Sequence, residues 1–242
     1  MAPFGEYINL LGVDHLLYIA ILVLVAALLF TNPQSVRSNR DQITIVIFLF
    51  SLAQQIILYG SYFILFEFDL GESLPLHISR INTIIGFLFL LTKDRRVYIL
   101  LCYFGLFAWL SFLYPSRVFG IIHPIGISFL VSHVITLLMP FYGMIAYDMR
   151  LKKEDKNFAF LCFLCYFVFV YFFNPLVDGN YFYLKYRPIF ATAPDYIYLP
   201  GALLVTYILF SLGEWLYERY QKIINGKRIP HLSPVPSAPS KE

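Results

Sequence analysis

Seven apolar stretches separated by short polar connections organise the chain: Leu16–Phe30, Ile43–Phe66, Leu74–Leu91, Val97–Leu113, Ile125–Tyr147, Phe158–Phe173 and Tyr196–Leu216. A helix needs about 20 apolar residues to cross a hydrocarbon core of ~30 Å. The pattern therefore predicts an all-α polytopic membrane helix bundle with about seven transmembrane helices. The first and sixth stretches are short and must borrow interfacial residues, whereas the second is long enough to tilt. Tyr7, Tyr18, Trp109, Tyr114, Trp215 and Tyr217 fall near span ends, where an aromatic ring with a polar handle is at ease.

Composition agrees with that pattern. Only 14% of the 242 residues are charged and mean hydropathy is +0.69, against roughly 25% charged in soluble domains. The net charge of +3 is scattered through connections and forms no face for nucleic acid. Its distribution predicts orientation. Fourteen Lys and Arg residues fall on one side of the predicted spans, three on the other, and Arg80 lies inside a span. By the positive-inside bias the N-terminus is expected outside and the C-terminus in the cytoplasm of a multi-pass cell-membrane protein. Residues 1–220 read as the bundle and 221–242 as a disordered cytoplasmic tail, proline- and serine-rich from Ile229 onward. Glu6 and Asp14 ahead of the first stretch speak against a cleavable signal peptide. Cys102, Cys162 and Cys165 lie in apolar runs and read as small buried hydrophobes.

Candidate chemistry comes from polar residues that hydrocarbon should exclude. In Leu74-Pro75-Leu76-His77-Ile78-Ser79-Arg80, Pro75 fits a first helical turn, and His77 and Arg80 share a face. Glu67, Asp69 and Glu72 are the expected partners of Arg80. The fifth stretch carries Ser128, Ser132 and Thr136 at spacings of four with His133 beside them, and His123 just precedes it. After the sixth come Asn174-Pro175 and Asp178-Gly179-Asn180-Tyr181, with Gly179 marking a tight turn. These segments predict one polar site near the outer face. There His133 would activate Ser79 for attack on an ester carbonyl, with His77 as a further proton-carrying group. Arg80, Asn174, Asn180 and Tyr181 would hold the substrate, a phospholipid drawn from the bilayer.

Blander readings stand beside this one: helix-joining hydrogen bonds for His77, Arg80 and His133, and turn-building for Asn174 and Asn180. Glu214 and Glu218 are expected to pair with Arg219 or Lys222. A His77–His133 metal site lacks a carboxylate to complete it, so neither metal nor cofactor is expected. Solute or ion transport and non-catalytic interaction are the alternatives to an acyltransferase or esterase.

The blocks Leu74-Pro75-Leu76-His77, His133 with Pro140, Asn174, Gly179-Asn180-Tyr181 and Pro188 give the chain a resemblance to the YwaF-like family of bacterial integral membrane proteins, from about Gly5 to Glu218. That resemblance implies about seven helices and distant animal relatives associated with phospholipid acyl transfer through a cysteine and a histidine. The family cysteine corresponds to Ser79 and the histidine to His133. With serine, the intermediate would be an ester instead of a thioester.

Overall fold

The computed structural model describes residues 1–2, 4–187 and 192–226. Its α-helices are α1 (Val13–Thr31), α2 (Pro33–Ser38), α3 (Arg40–Ile64), α4 (Ile78–Thr92), α5 (Arg95–Phe104), α6 (Phe107–Leu113), α7 (Pro124–Ala146), α8 (Lys153–Phe173) and α9 (Asp195–Gly226). Helices α5 and α6 form one kinked rod. Across Gly105-Leu106 the backbone shifts to i→i+3 bonds, including Ala108 N–H to the Gly105 carbonyl at 3.0 Å.

Among the described residues, six helical stretches have the length and apolarity to cross a bilayer: α1, α3, α5–α6, α7, α8 with the short turn after it, and α9. The protein is therefore an all-α, multi-pass membrane bundle, consistent with residence in the cell membrane. The expected third crossing is shorter than its apolar pattern. Helix α4 has 15 residues, roughly 22 Å at 1.5 Å per residue. His77 is its N-cap, so Pro75 lies ahead of the helix and not in its first turn. Of the expected tail, residues 221–226 continue α9, with Gln221 accepting from the Leu151 N–H at 2.9 Å; residues 227–242, and Pro188, lie outside the described residues.

Helix α7 is the axis of the bundle and packs against each of α1 to α6. Its start is set by Pro124 at the first helical position and by His123, whose Nδ1 accepts the Ile125 N–H at 3.2 Å. Pro140 interrupts its ladder, and Tyr98 donates its hydroxyl to the Pro140 carbonyl at 2.7 Å. Aromatic rings fill the space between α5–α6, α8 and α9: Phe163 meets Phe107 at 5.3 Å and Phe210 at 6.0 Å between centroids. Outward faces stay apolar, as on α9, where Leu204, Leu212 and Trp215 are exposed. Cys102 is buried, but Cys165 lies on such an outward face of α8, contrary to expectation. Lipid solvates it instead of a core.

Ion pairs tie the bundle at the end away from the N-terminus. Asp155 at the start of α8 accepts from Arg95 at 2.6 Å and from its own Lys152 N–H at 2.7 Å. Lys156 reaches Glu214 of α9 at 2.8 Å. The expected pairing of Glu214 with Arg219 or Lys222 is thereby corrected: the cation comes from a neighbouring helix, and Arg219 lies over the Trp215 ring, 5.5 Å from its centroid. At the other end the first residues lie across the loop before α7, with Ile8 N–H bonded to the Val118 carbonyl at 2.8 Å and Tyr7 bridged to Phe119.

Candidate functional site

Two polar centres emerge, and the expected residues divide between them. The first gathers where α3, α4 and the segment after α8 meet. Arg80, on the first turn of α4 and only 11% exposed, donates to the Leu74 carbonyl at 3.0 Å, to the Glu72 carbonyl and to the Tyr62 hydroxyl; its guanidinium stands 5.0 Å over the Tyr62 ring. Of the three expected acidic partners, Glu72 is the one that meets it, at 3.4 Å. His77 Nε2 is 3.1 Å from the same carboxylate, close enough for an ion pair but not aligned as a hydrogen bond. Its ring sits edge-on to Tyr181 at 4.9 Å. Burial raises the Glu72 pKa, but His77 and Arg80 outweigh it and hold the carboxyl below its ordinary range.

Tyr181 and Asn174 close this centre from the other side. The buried Asn174 amide grips Tyr181 through both backbone groups, at 2.9 Å to its N–H and 3.0 Å to its carbonyl. The Tyr181 hydroxyl donates to the Leu70 carbonyl at 2.6 Å and accepts from the Leu74 N–H at 3.1 Å. Asn180 organises the next turn, its side-chain oxygen accepting from Tyr186 N–H at 2.8 Å and Lys185 N–H at 3.0 Å. The turn expected at Gly179 is present, and its left-handed residue is Asp178, with φ 53°. Gly179 is needed for space, because a Cβ there would stand 3.0 Å from Asn174 Oδ1 and 3.2 Å from the Gly71 carbonyl.

The second centre lies within the bundle. His133 stacks on Phe129 with centroids 3.8 Å apart and faces Phe112 at 6.5 Å. Its Nδ1 is 2.8 Å from the Phe129 carbonyl and 3.2 Å from the Ser132 hydroxyl, while Nε2 is buried without a hydrogen-bond partner among the described residues. Ser79 is half-buried on the first turn of α4, which packs directly on α7. Among the described residues no hydrogen bond joins its hydroxyl to His133. The structure thus assembles His77, Arg80, Asn174, Asn180 and Tyr181 around one set of loops, and places His133 in different surroundings. Two residues outside the expected set, Gln54 and Asn82, stand fully buried in helices. They were open to the test that exposed His133, being amides inside apolar stretches.

Comparison with known proteins now bears on this arrangement. The model of the TMEM164 family matches residues 10–213, most of the chain. The chain belongs to the TMEM164 family. This corrects the expected membership of the YwaF-like family. No curated protein and no solved structure matches. The matched region of this TMEM164-family protein runs from just before α1 into α9 and contains both polar centres.

Proposed function

We propose that this TMEM164-family membrane protein modifies lipids, transferring or hydrolysing an acyl group, with His133 as general base and Ser79 as nucleophile. The observation that carries the reading is the state of the His133 ring. The Phe129 carbonyl can only accept, so its 2.8 Å bond places the ring proton on Nδ1 and leaves the Nε2 lone pair free. An imidazole oriented through one nitrogen and bare at the other is equipped to take a hydroxyl proton.

In the proposed reaction Ser79 Oγ attacks the ester carbonyl carbon and its proton passes to His133 Nε2. The C–O bond to the departing lipid then breaks, and that alkoxide takes the proton. Water or a second lipid hydroxyl attacks the resulting acyl-serine, gives its proton to His133, and releases the acyl group with Ser79 restored. The chemistry requires α4 and α7 to bring the hydroxyl to the imidazole when substrate enters. In this reading Arg80 meets a lipid phosphate by exchanging its 3.4 Å contact with Glu72. His77 relays protons at the same end, and Asn174, Asn180 and Tyr181 shape the wall. We further propose seven crossings, with α4 completed by its packed loops, the N-terminus outside and the C-terminus cytoplasmic.

Turnover of labelled phospholipid by the purified protein in vesicles tests the reading. Ser79→Ala and His133→Ala should each lower it by at least ~10²-fold. Equal turnover by both variants and the parent would remove these roles.

A further inference from the structure

A small chamber, about 10 Å³ in the volume open to a water's centre, lies between α3, α4, α5 and α7. Gln54, Asn82, Thr83, Ser132 and Thr136 contribute to its wall. Gln54 and Asn82 are 2% and 1% exposed, and Gln54 Nε2, Asn82 Nδ2 and Asn82 Oδ1 have no hydrogen-bond partner among the described residues. Ser128 donates to Gln54 Oε1 at 2.9 Å, which takes up the oxygen of that amide and leaves its nitrogen to another partner. Pro140 has no N–H to offer the Thr136 carbonyl one turn back.

We propose that this chamber is a binding site for a single water molecule that joins α3, α4 and α7 inside the membrane. The three bare amide atoms define the ligand. It must accept from Gln54 Nε2 and Asn82 Nδ2 and donate to Asn82 Oδ1. The volume sits at the threshold for one water and excludes anything larger. Among the described residues no charged side chain lines the wall, so an ion of either sign would stand uncompensated in a low-dielectric interior. Bulk water does not reach hydrocarbon depth to satisfy these groups. Gly105 preserves the amide's place: a Cβ there would lie 3.2 Å from Asn82 Nδ2. The site does not depend on the acyl-transfer reading.

A nanodisc structure of the whole chain at a resolution that resolves waters tests it directly. The expected result is one density peak within hydrogen-bond distance of Asn82 and Gln54 Nε2, lost in Asn82→Leu. Thermal unfolding supplies a second readout. Gln54→Leu and Asn82→Leu should each lower the midpoint, and the double variant should lose less than the sum, because both amides share one bridging partner. The proposal fails if the parent shows no peak and its amides bond other protein groups. It fails equally if the two losses add, or if sodium chloride raises the midpoint where choline chloride does not, which would mark a cation.

Discussion

Arg80 illustrates how one side chain in a costly place organises its neighbours. A guanidinium near the start of α4 would be expensive against lipid, yet it is surrounded by two carbonyls, the Tyr62 hydroxyl and the Glu72 carboxylate. Arg80→Met keeps the apolar stem and strands those acceptors. It should cost roughly 1–3 kcal/mol, seen as a lower unfolding midpoint in micelles. The Glu72 share is small because that side chain is 52% exposed. The carboxyl also gives a pH signature. Its folded pKa is depressed, so its stabilisation is present above the unfolded value of about 4.3 and is lost as pH falls through the folded one. Unfolding scans from pH 7 to pH 3 should show an acid decline that is shallower in Glu72→Gln. An identical slope in the variant would locate the decline in other carboxylates.

Glycines in these helices stand at close approaches to other parts of the chain, and the neighbour decides what each tolerates. A Cβ at Gly126, in the first turn of α7, would stand 2.0 Å from the Gly120 carbonyl oxygen and 2.7 Å from that of Phe119. Backbone cannot step aside, so Gly126→Ala should displace the start of α7 and cost several kcal/mol, ~3 or more. At Gly213 of α9 the nearest atom is the tip of Leu106, at 2.3 Å. A rotamer change there relieves the clash, and Gly213→Ala should cost less than about 1.5 kcal/mol. Equal losses in the two variants would contradict this ranking. Comparing elements with the sequence also shows where reading by pattern works. Long spans such as α7 were legible to within a residue or two, because crossing lipid imposes both a length and a composition. Helix α4 was overestimated, because Leu74 and Leu76 continue its apolar run but belong to the loop held by Tyr166 and Tyr181. The centre formed by His77, Arg80 and Tyr181 was legible as depth alone. The Asn174 grip on Tyr181 and the Lys156–Glu214 pair depend on how chain segments fold back or helices pack side by side, which periodicity does not encode.

At the scale of the molecule, ion pairs occur at both ends of the bundle, with Arg80–Glu72 and Arg187–Asp195 at the end bearing the N-terminus, and the loops set the two ends apart. The end bearing the N-terminus is closed by loops: residues 4–8 against 118–123, and 69–77 against 174–181. The opposite end is rich in cations and joined by the pairs Arg95–Asp155 and Lys156–Glu214. Excess cations there favour retention on the cytoplasmic side, and a loop-closed end suits the face where hydrophilic loops meet the exterior. The proposed orientation therefore makes a prediction that no single residue can make. Cys102, Cys162 and Cys165 are first replaced by Ala so that labelling reports only introduced sites. Ser116→Cys, on an exposed loop residue, and Lys153→Cys, exposed at the start of α8, then mark the two ends. Membrane-impermeant maleimide added to intact cells should label Ser116→Cys and spare Lys153→Cys until the membrane is opened. The reverse pattern would invert the bundle, move the Arg80 centre to the cytoplasmic side, and require any lipid acted on there to come from the inner leaflet.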